Sequence, residues 1–168
     1  REAVRTIVSM ADAAGFRNIN NAAELKPGDC VYGVNKNKSI YLAVIGKQPL
    51  TQGFNAVGAH IDAPRLDLKQ NPLYEDSGLA LLKTHYYGGI KKYQWTTVPL
   101  ALHGVVALTD GTVVDVKIGE DENDPVFLVT DLLPHLAAKQ NAKKLAEGVP
   151  AENLNILIGS MPGEDADS

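Results

Sequence analysis

His60 and Asp62, in the stretch "VGAHIDAPRLDLKQNPLY" at residues 57–74, are the pair whose types and spacing could do chemistry. An imidazole can bind a metal through one ring nitrogen while a neighbour holds the other ring N–H. Residues two apart on an extended backbone point to the same side. Asp62 can therefore accept the second N–H of His60, fix the tautomer and raise the basicity of the metal-binding nitrogen. Pro64 stiffens the exit and restricts Ala63 before it to extended geometry. A locally hydrogen-bonded strand-end histidine followed by a turn-capping aspartate has the same spacing, so two specified positions leave both readings open.

Such a histidine needs an element to carry it. "FNAVGAH", residues 54–60, is short, small-residue and apolar throughout, the pattern of an inner strand in a sheet covered by helices. His60 falls where that strand runs out, and ligands in α/β sheets collect beyond the carboxyl ends of strands. Before it, "REAVRTIVSMADAAGF" places Val4, Ile7, Val8 and Ala11 at helical spacing, with Gly15 to end the helix and Phe16 to fold back on it. "CVYGVNKNKSIYLAVIG" reads as a hairpin turning at residues 35–37.

After the histidine, "RLDLK" alternates as a half-exposed strand, and "GLALLKTHYY" is a second strand stopped by Gly88-Gly89. From about Val98 the chain becomes dense in β-branched residues, and Asp110-Gly111 signals a two-residue hairpin. "DLLPHLAAKQNAKKLAEG" is expected to be one helix, capped by Asp131, with Pro134 in its first turn and Gly148 to stop it. "LNILIG" is a last buried strand.

Composition narrows the function classes. The chain has 168 residues, 45% hydrophobic and 21% charged, so a packed core is expected. A net charge of −4, from 16 basic and 20 acidic side chains, offers no basic field for nucleic acid or anionic lipid. The apolar runs are too short to span a bilayer, and no secretory signal pattern opens the chain. A single cysteine, Cys30, excludes an internal disulfide, fits a reducing compartment such as the cytoplasm, and reads as a small buried apolar side chain. The abrupt start at Arg1 and the acidic "MPGEDADS" close look like cuts rather than natural termini.

Other candidates are weaker. His85 reads as a strand histidine bonded locally, and His103 as a packing residue within an apolar strand. Lys91 and Lys92 fit a solvated turn. The acidic residues 121–124 lack the spacing of a calcium loop, and "YGGIKK" lacks the spacing of a phosphate loop. Ser160 has no second glycine for a nucleophile elbow.

"VGAHIDAPRLDLKQNPLY", "HYYGGIKKYQW" and "DLLPHLAAKQ" together resemble the aspartyl aminopeptidase / aminopeptidase I family of zinc metallopeptidases, in its bacterial branch, over nearly the whole chain. The resemblance implies zinc, two ions per complete active site, with His60 as a ligand and Asp62 as its supporting partner. It implies a partial α/β/α metallopeptidase domain, residues 1–97, followed by a β-rich insertion that mediates dimerisation, residues 98–168. It further implies peptide substrates, a homo-oligomer in which dimers build a larger shell, and the remaining ligands and a glutamate base downstream of the insertion. His135 would reach a neighbour's active site across the dimer, although some relatives carry a second histidine a turn later, where this chain has Lys139. Thr97-Val98-Pro99 replaces the Asp-Arg-Asp run of many relatives, which weakens any transfer of their preference for acidic substrates.

The sequence thus points to part of a zinc aminopeptidase that removes N-terminal residues from peptides. A second reading is a non-catalytic assembly or dimerisation fragment. A third is another metallohydrolase with the same His-x-Asp start, such as a deacylase.

Overall fold

The computed structural model describes residues 1–161, so residues 162–168 of the acidic close lie outside the described residues. The chain forms two compact units, Arg1–Ala63 and Pro64–Ser168. The change of character near Val98 falls inside the second. Among the described residues the architecture is mixed sheets with few helices.

In the first unit, α1 (Glu2–Ala13) buries Val4 and Ala11, on the face the periodicity marks. Its end follows the Schellman pattern. Phe16 N–H donates to the Ala11 carbonyl and Gly15 N–H to that of Asp12, with Gly15 at φ +81°. A side chain at Gly15 would strain this left-handed turn. α1 packs against a three-stranded sheet: β1 (Arg17–Asn18) runs parallel to β2 (Cys30–Asn35), which pairs antiparallel with β3 (Ser39–Val44). Lys36 and Asn37 both take positive φ in the connecting turn, as primed hairpin turns require. The hydrogen bond from Tyr32 to Asp12 on α1, reinforced by burial and by the Asp12 charge, holds the Tyr32 phenol above its ordinary pKa.

Residues 54–60 do not form the expected inner strand. They carry no regular secondary structure and join none of the described sheets. Phe54 is exposed and Val57 fully so, at 102%. A strand buried on both faces needs hydrogen-bonding neighbours and a covering layer, and no described strand offers them to this run.

The second unit is built on an antiparallel four-stranded sheet of spatial order β4-β5-β9-β8. β4 (Arg65–Asp76) extends well beyond "RLDLK" and meets β5 (Leu79–Tyr87) through a tight turn with Ser77 and Gly78 at positive φ. The register slips between Leu68 and Leu73, around Pro72, which cannot donate to the ladder. β6 (Leu102–Ala107) and β7 (Val113–Ile118) make a separate antiparallel pair. Their connection covers residues 108–112 rather than two residues. Asp110 stabilises it by accepting the Thr112 N–H, so the Asp-Gly pair sits inside a longer turn.

β8 (Leu128–Val129) is short and lies at the sheet edge, beside Thr96. The expected helix over residues 131–148 is instead two single turns, α2 (Ala138–Asn141) and α3 (Leu145–Gly148). Two local effects oppose the longer helix. The Asp131 carboxylate bonds its own neighbour Leu132 N–H, and Leu133 precedes a proline, which disfavours helical geometry there. Lys144, extended at ψ 147°, separates the two turns. β9 (Ile156–Gly159) is the strand expected from "LNILIG".

Leu82, Phe127, Val129, Val149, Leu154 and Ile156 form the core of this unit, with Trp95, Tyr86 and Leu66 packed against it. The buried Thr84 hydroxyl donates to the Leu154 carbonyl, so its polarity is satisfied. Just after β7, the Asp124 carboxylate accepts N–H bonds from Gly119 at 2.7 Å, Glu120 at 3.1 Å and Asp121 at 3.2 Å. The Gly119 and Asp121 amides foremost, then Glu120 and the Lys117 charge, hold its pKa below the usual carboxylate range. Gly119 stands at φ +100°, and a Cβ there would lie 3.0 Å from Ala101 Cα and the Leu100 carbonyl. Gly119→Ala is expected to destabilise the unit by about 1–3 kcal/mol, read as a lower midpoint in denaturant unfolding. An unchanged midpoint would show that this backbone relaxes freely.

Candidate functional site

His60 lies on the extended segment that leads to Pro64, with its side chain 86% exposed. Its Nδ1 is 3.1 Å from the Asp62 main-chain oxygen and 3.5 Å from Asp62 Oδ1. A carbonyl oxygen only accepts, so Nδ1 carries a proton, and a neutral ring held this way presents a bare Nε2 lone pair. The backbone oxygen of Asp62 is the nearer acceptor for this nitrogen, with the carboxylate behind it. Spacing alone could not reveal this, because it depends on how the peptide unit after Ile61 is turned.

A zinc centre takes three or four protein donors. Among the described residues no group of three or more His, Cys, Asp or Glu side chains could hold a metal. His60 with its bare nitrogen fits one donor of such a set. The described residues do not complete the set.

The other sequence candidates are dispersed. His85 sits on the outer face of β5, opposite Asp67, its ring stacked near Tyr86. His103 is not simply a packing residue, since its Nε2 lies 3.0 Å from Glu120 Oε1. Its flanking Leu102 and Gly104 within an apolar strand suggest packing, but the turn after β7 brings Glu120 back to it. Cys30 is half-buried rather than buried, with its thiol 3.8 Å from the Gly28 carbonyl.

His135 is exposed on a turn between β8 and α2. Beneath that turn lies a cavity of about 390 Å³, lined by Tyr93, Asp131, Pro134, Ala137, Gln140 and Val149 among others. Asp131 closes the turn. Its Oδ1 accepts from Leu132 N–H at 2.8 Å and Gln140 Nε2 at 2.9 Å, and its Oδ2 from the Thr96 hydroxyl at 3.2 Å. Gln140 first, then Leu132 and Thr96, hold its carboxyl below the usual pKa against the opposing effect of burial. The sequence pattern marks Asp131 only as a helix cap, and nothing local signals its contact with Thr96.

The described residues form mixed sheets with few helices, and the His60 side chain is exposed. The chain belongs to the aminopeptidase I zinc metalloprotease (M18) family, which it matches over residues 1–167. It is 56% identical over 171 residues to a probable M18 family aminopeptidase 1 of Clostridium acetobutylicum, covering 99% of this chain and 37% of that protein. The crystal structure of an M18 aminopeptidase from Thermotoga maritima superposes with a TM-score of 0.88 at 44% identity, over 98% of this chain and 36% of that one. That of aminopeptidase I from Clostridium acetobutylicum gives 0.86 at 52% identity, over 100% and 38%. The chain therefore spans little more than a third of the length of these relatives. Among the described residues no helix is long and apolar enough to cross a membrane.

Proposed function

We propose that this chain is the N-terminal part of a zinc-dependent aminopeptidase that releases single residues from the N-termini of peptides in the cytoplasm. The bare, solvent-facing Nε2 of His60 carries this reading, because that nitrogen is what a zinc donor must offer. His60 would hold one of two zinc ions, and Asp62 would keep the ring in the donating tautomer. When bound, zinc supplies Lewis acidity toward the scissile carbonyl and the attacking water. The remaining donors and the proton-transferring glutamate belong to sequence beyond this chain, in keeping with the share of its relatives that it spans.

In this reading residues 1–97 begin an α/β/α metallopeptidase domain, and residues 54–60 become its inner strand once the downstream strands lie beside them. The β-rich residues 98–168 belong to a dimerising insertion. Val105, Val106, Val113 and Val114, all exposed on the two-stranded β6–β7 pair, support a role in assembly, since an isolated hairpin with uncovered apolar side chains is marginal in water. His135 would serve a neighbouring subunit's active site.

Intact mass, zinc content and release of amino acid from an aminoacyl anilide test the proposal together. The expected result is a polypeptide heavier than 18.0 kDa that carries zinc and turns over substrate. A zinc-free, inactive 18.0 kDa polypeptide would favour the non-catalytic assembly fragment instead.

A further inference from the structure

We infer that Asp131 is a positioning residue: its carboxylate holds the turn of residues 132–139, and His135 with it, against the edge of the four-stranded sheet. The inference rests on the reading of His135 as a contributor to a neighbouring active site.

The turn has little else to hold it. Leu132, Leu133 and Leu136 are exposed, and only Ala137 is buried. Its backbone bonds are internal, from Leu136 N–H to the Leu133 carbonyl and from Ala137 N–H to the Pro134 carbonyl. They shape the turn without fixing where it sits.

Asp131 supplies that link. Val129 is locked into the sheet, accepting the Thr97 N–H at 2.8 Å beside the Thr96 bridge. Asp131 follows it by two residues and reaches back to the same neighbour, the buried Thr96 hydroxyl. That hydroxyl is shared with the Tyr93 carbonyl, also at 3.2 Å. The other carboxylate oxygen grips the turn at both ends, at Leu132 N–H and at Gln140 on α2. One ionised side chain thereby joins sheet edge, turn and helix, through hydrogen bonds stronger than neutral ones. Asparagine can rebuild the arrangement: its oxygen accepts the same two donors, and its amide can donate to the Thr96 oxygen while that hydroxyl donates to Tyr93. Alanine cannot.

The test uses the full-length zinc-loaded enzyme and two readouts. In Asp131→Ala, amide hydrogen exchange at Leu132, Leu136 and Ala137 should speed by about tenfold. Val129 and Ile156 should exchange as before, and Asp131→Asn should restore most of the protection. Unchanged exchange in the turn, or equal acceleration in the sheet, overturns the inference. In peptide turnover, Asp131→Ala and His135→Ala should each lower kcat/KM by about tenfold, and the double variant should be no slower than the slower single one. Additive losses would show that Asp131 acts by another route and overturn the link. A silent His135→Ala would remove the active-site role of His135, leaving the exchange result to decide what Asp131 does.

Discussion

His60→Ala in the complete enzyme is expected to lose one zinc and nearly all turnover, a fall of more than about a hundredfold. Losing a supporting partner of a metal ligand typically costs 10–100-fold in affinity or activity, and loss of the ligand itself should exceed that. Nδ1 of His60 is committed to the Asp62 carbonyl at 3.1 Å, so the lone pair is on Nε2, and the ring is 86% exposed with that nitrogen free. Asp62→Ala keeps the main-chain acceptor and removes only the carboxylate at 3.5 Å. It should therefore be milder, within about a hundredfold. Zinc analysis by mass spectrometry beside anilide turnover separates the two variants. Full zinc occupancy in His60→Ala would refute the ligand assignment, and equal losses in both would mean that the carboxylate does more than steady the ring.

The second large effect is on stability. Leu154 is 1% exposed and belongs with Val129, Val149 and Ile156 to the core of the second unit. Leu154→Ala is expected to destabilise by about 2–5 kcal/mol, from lost burial and the cavity left behind. The Thr84 hydroxyl bonds the backbone carbonyl of Leu154, which alanine retains, so the loss measures packing alone. The sole tryptophan of the chain, Trp95, packs against this core and reports its unfolding by fluorescence. Leu73→Ala, at an exposed position of β4, should change stability by no more than about 0.5 kcal/mol. Similar midpoints for the two variants would show that Leu154 is not central to the core.

What was legible in the sequence follows from where the cause of each feature lies. The first helix, its glycine stop, the hairpin over residues 30–44 and the last strand all appear as their patterns indicate. Each depends on side chains within a few positions of one another. The Ser77-Gly78 turn also has a local signal, a small polar residue and a glycine between two strand patterns. The helix expected over residues 131–148 does not form because Asp131 bonds its own neighbour Leu132 N–H instead of capping a turn further on, and because Pro134 disfavours helical geometry at Leu133.

By itself, the sequence determined which residues could do chemistry and which family supplies the chemistry: His60 and Asp62 two positions apart, in a stretch long enough to resemble other members. Residue type and short-range spacing suffice for that, since an imidazole and a carboxylate keep their donor and acceptor character in any fold. Only the tertiary structure decided which oxygen of Asp62 faces the ring, that residues 54–60 remain outside the described sheets, and that Asp131 reaches Thr96 across 35 positions. Those outcomes turn on peptide orientation, on strands available to pair, and on contacts between distant segments, none of which is encoded in local order.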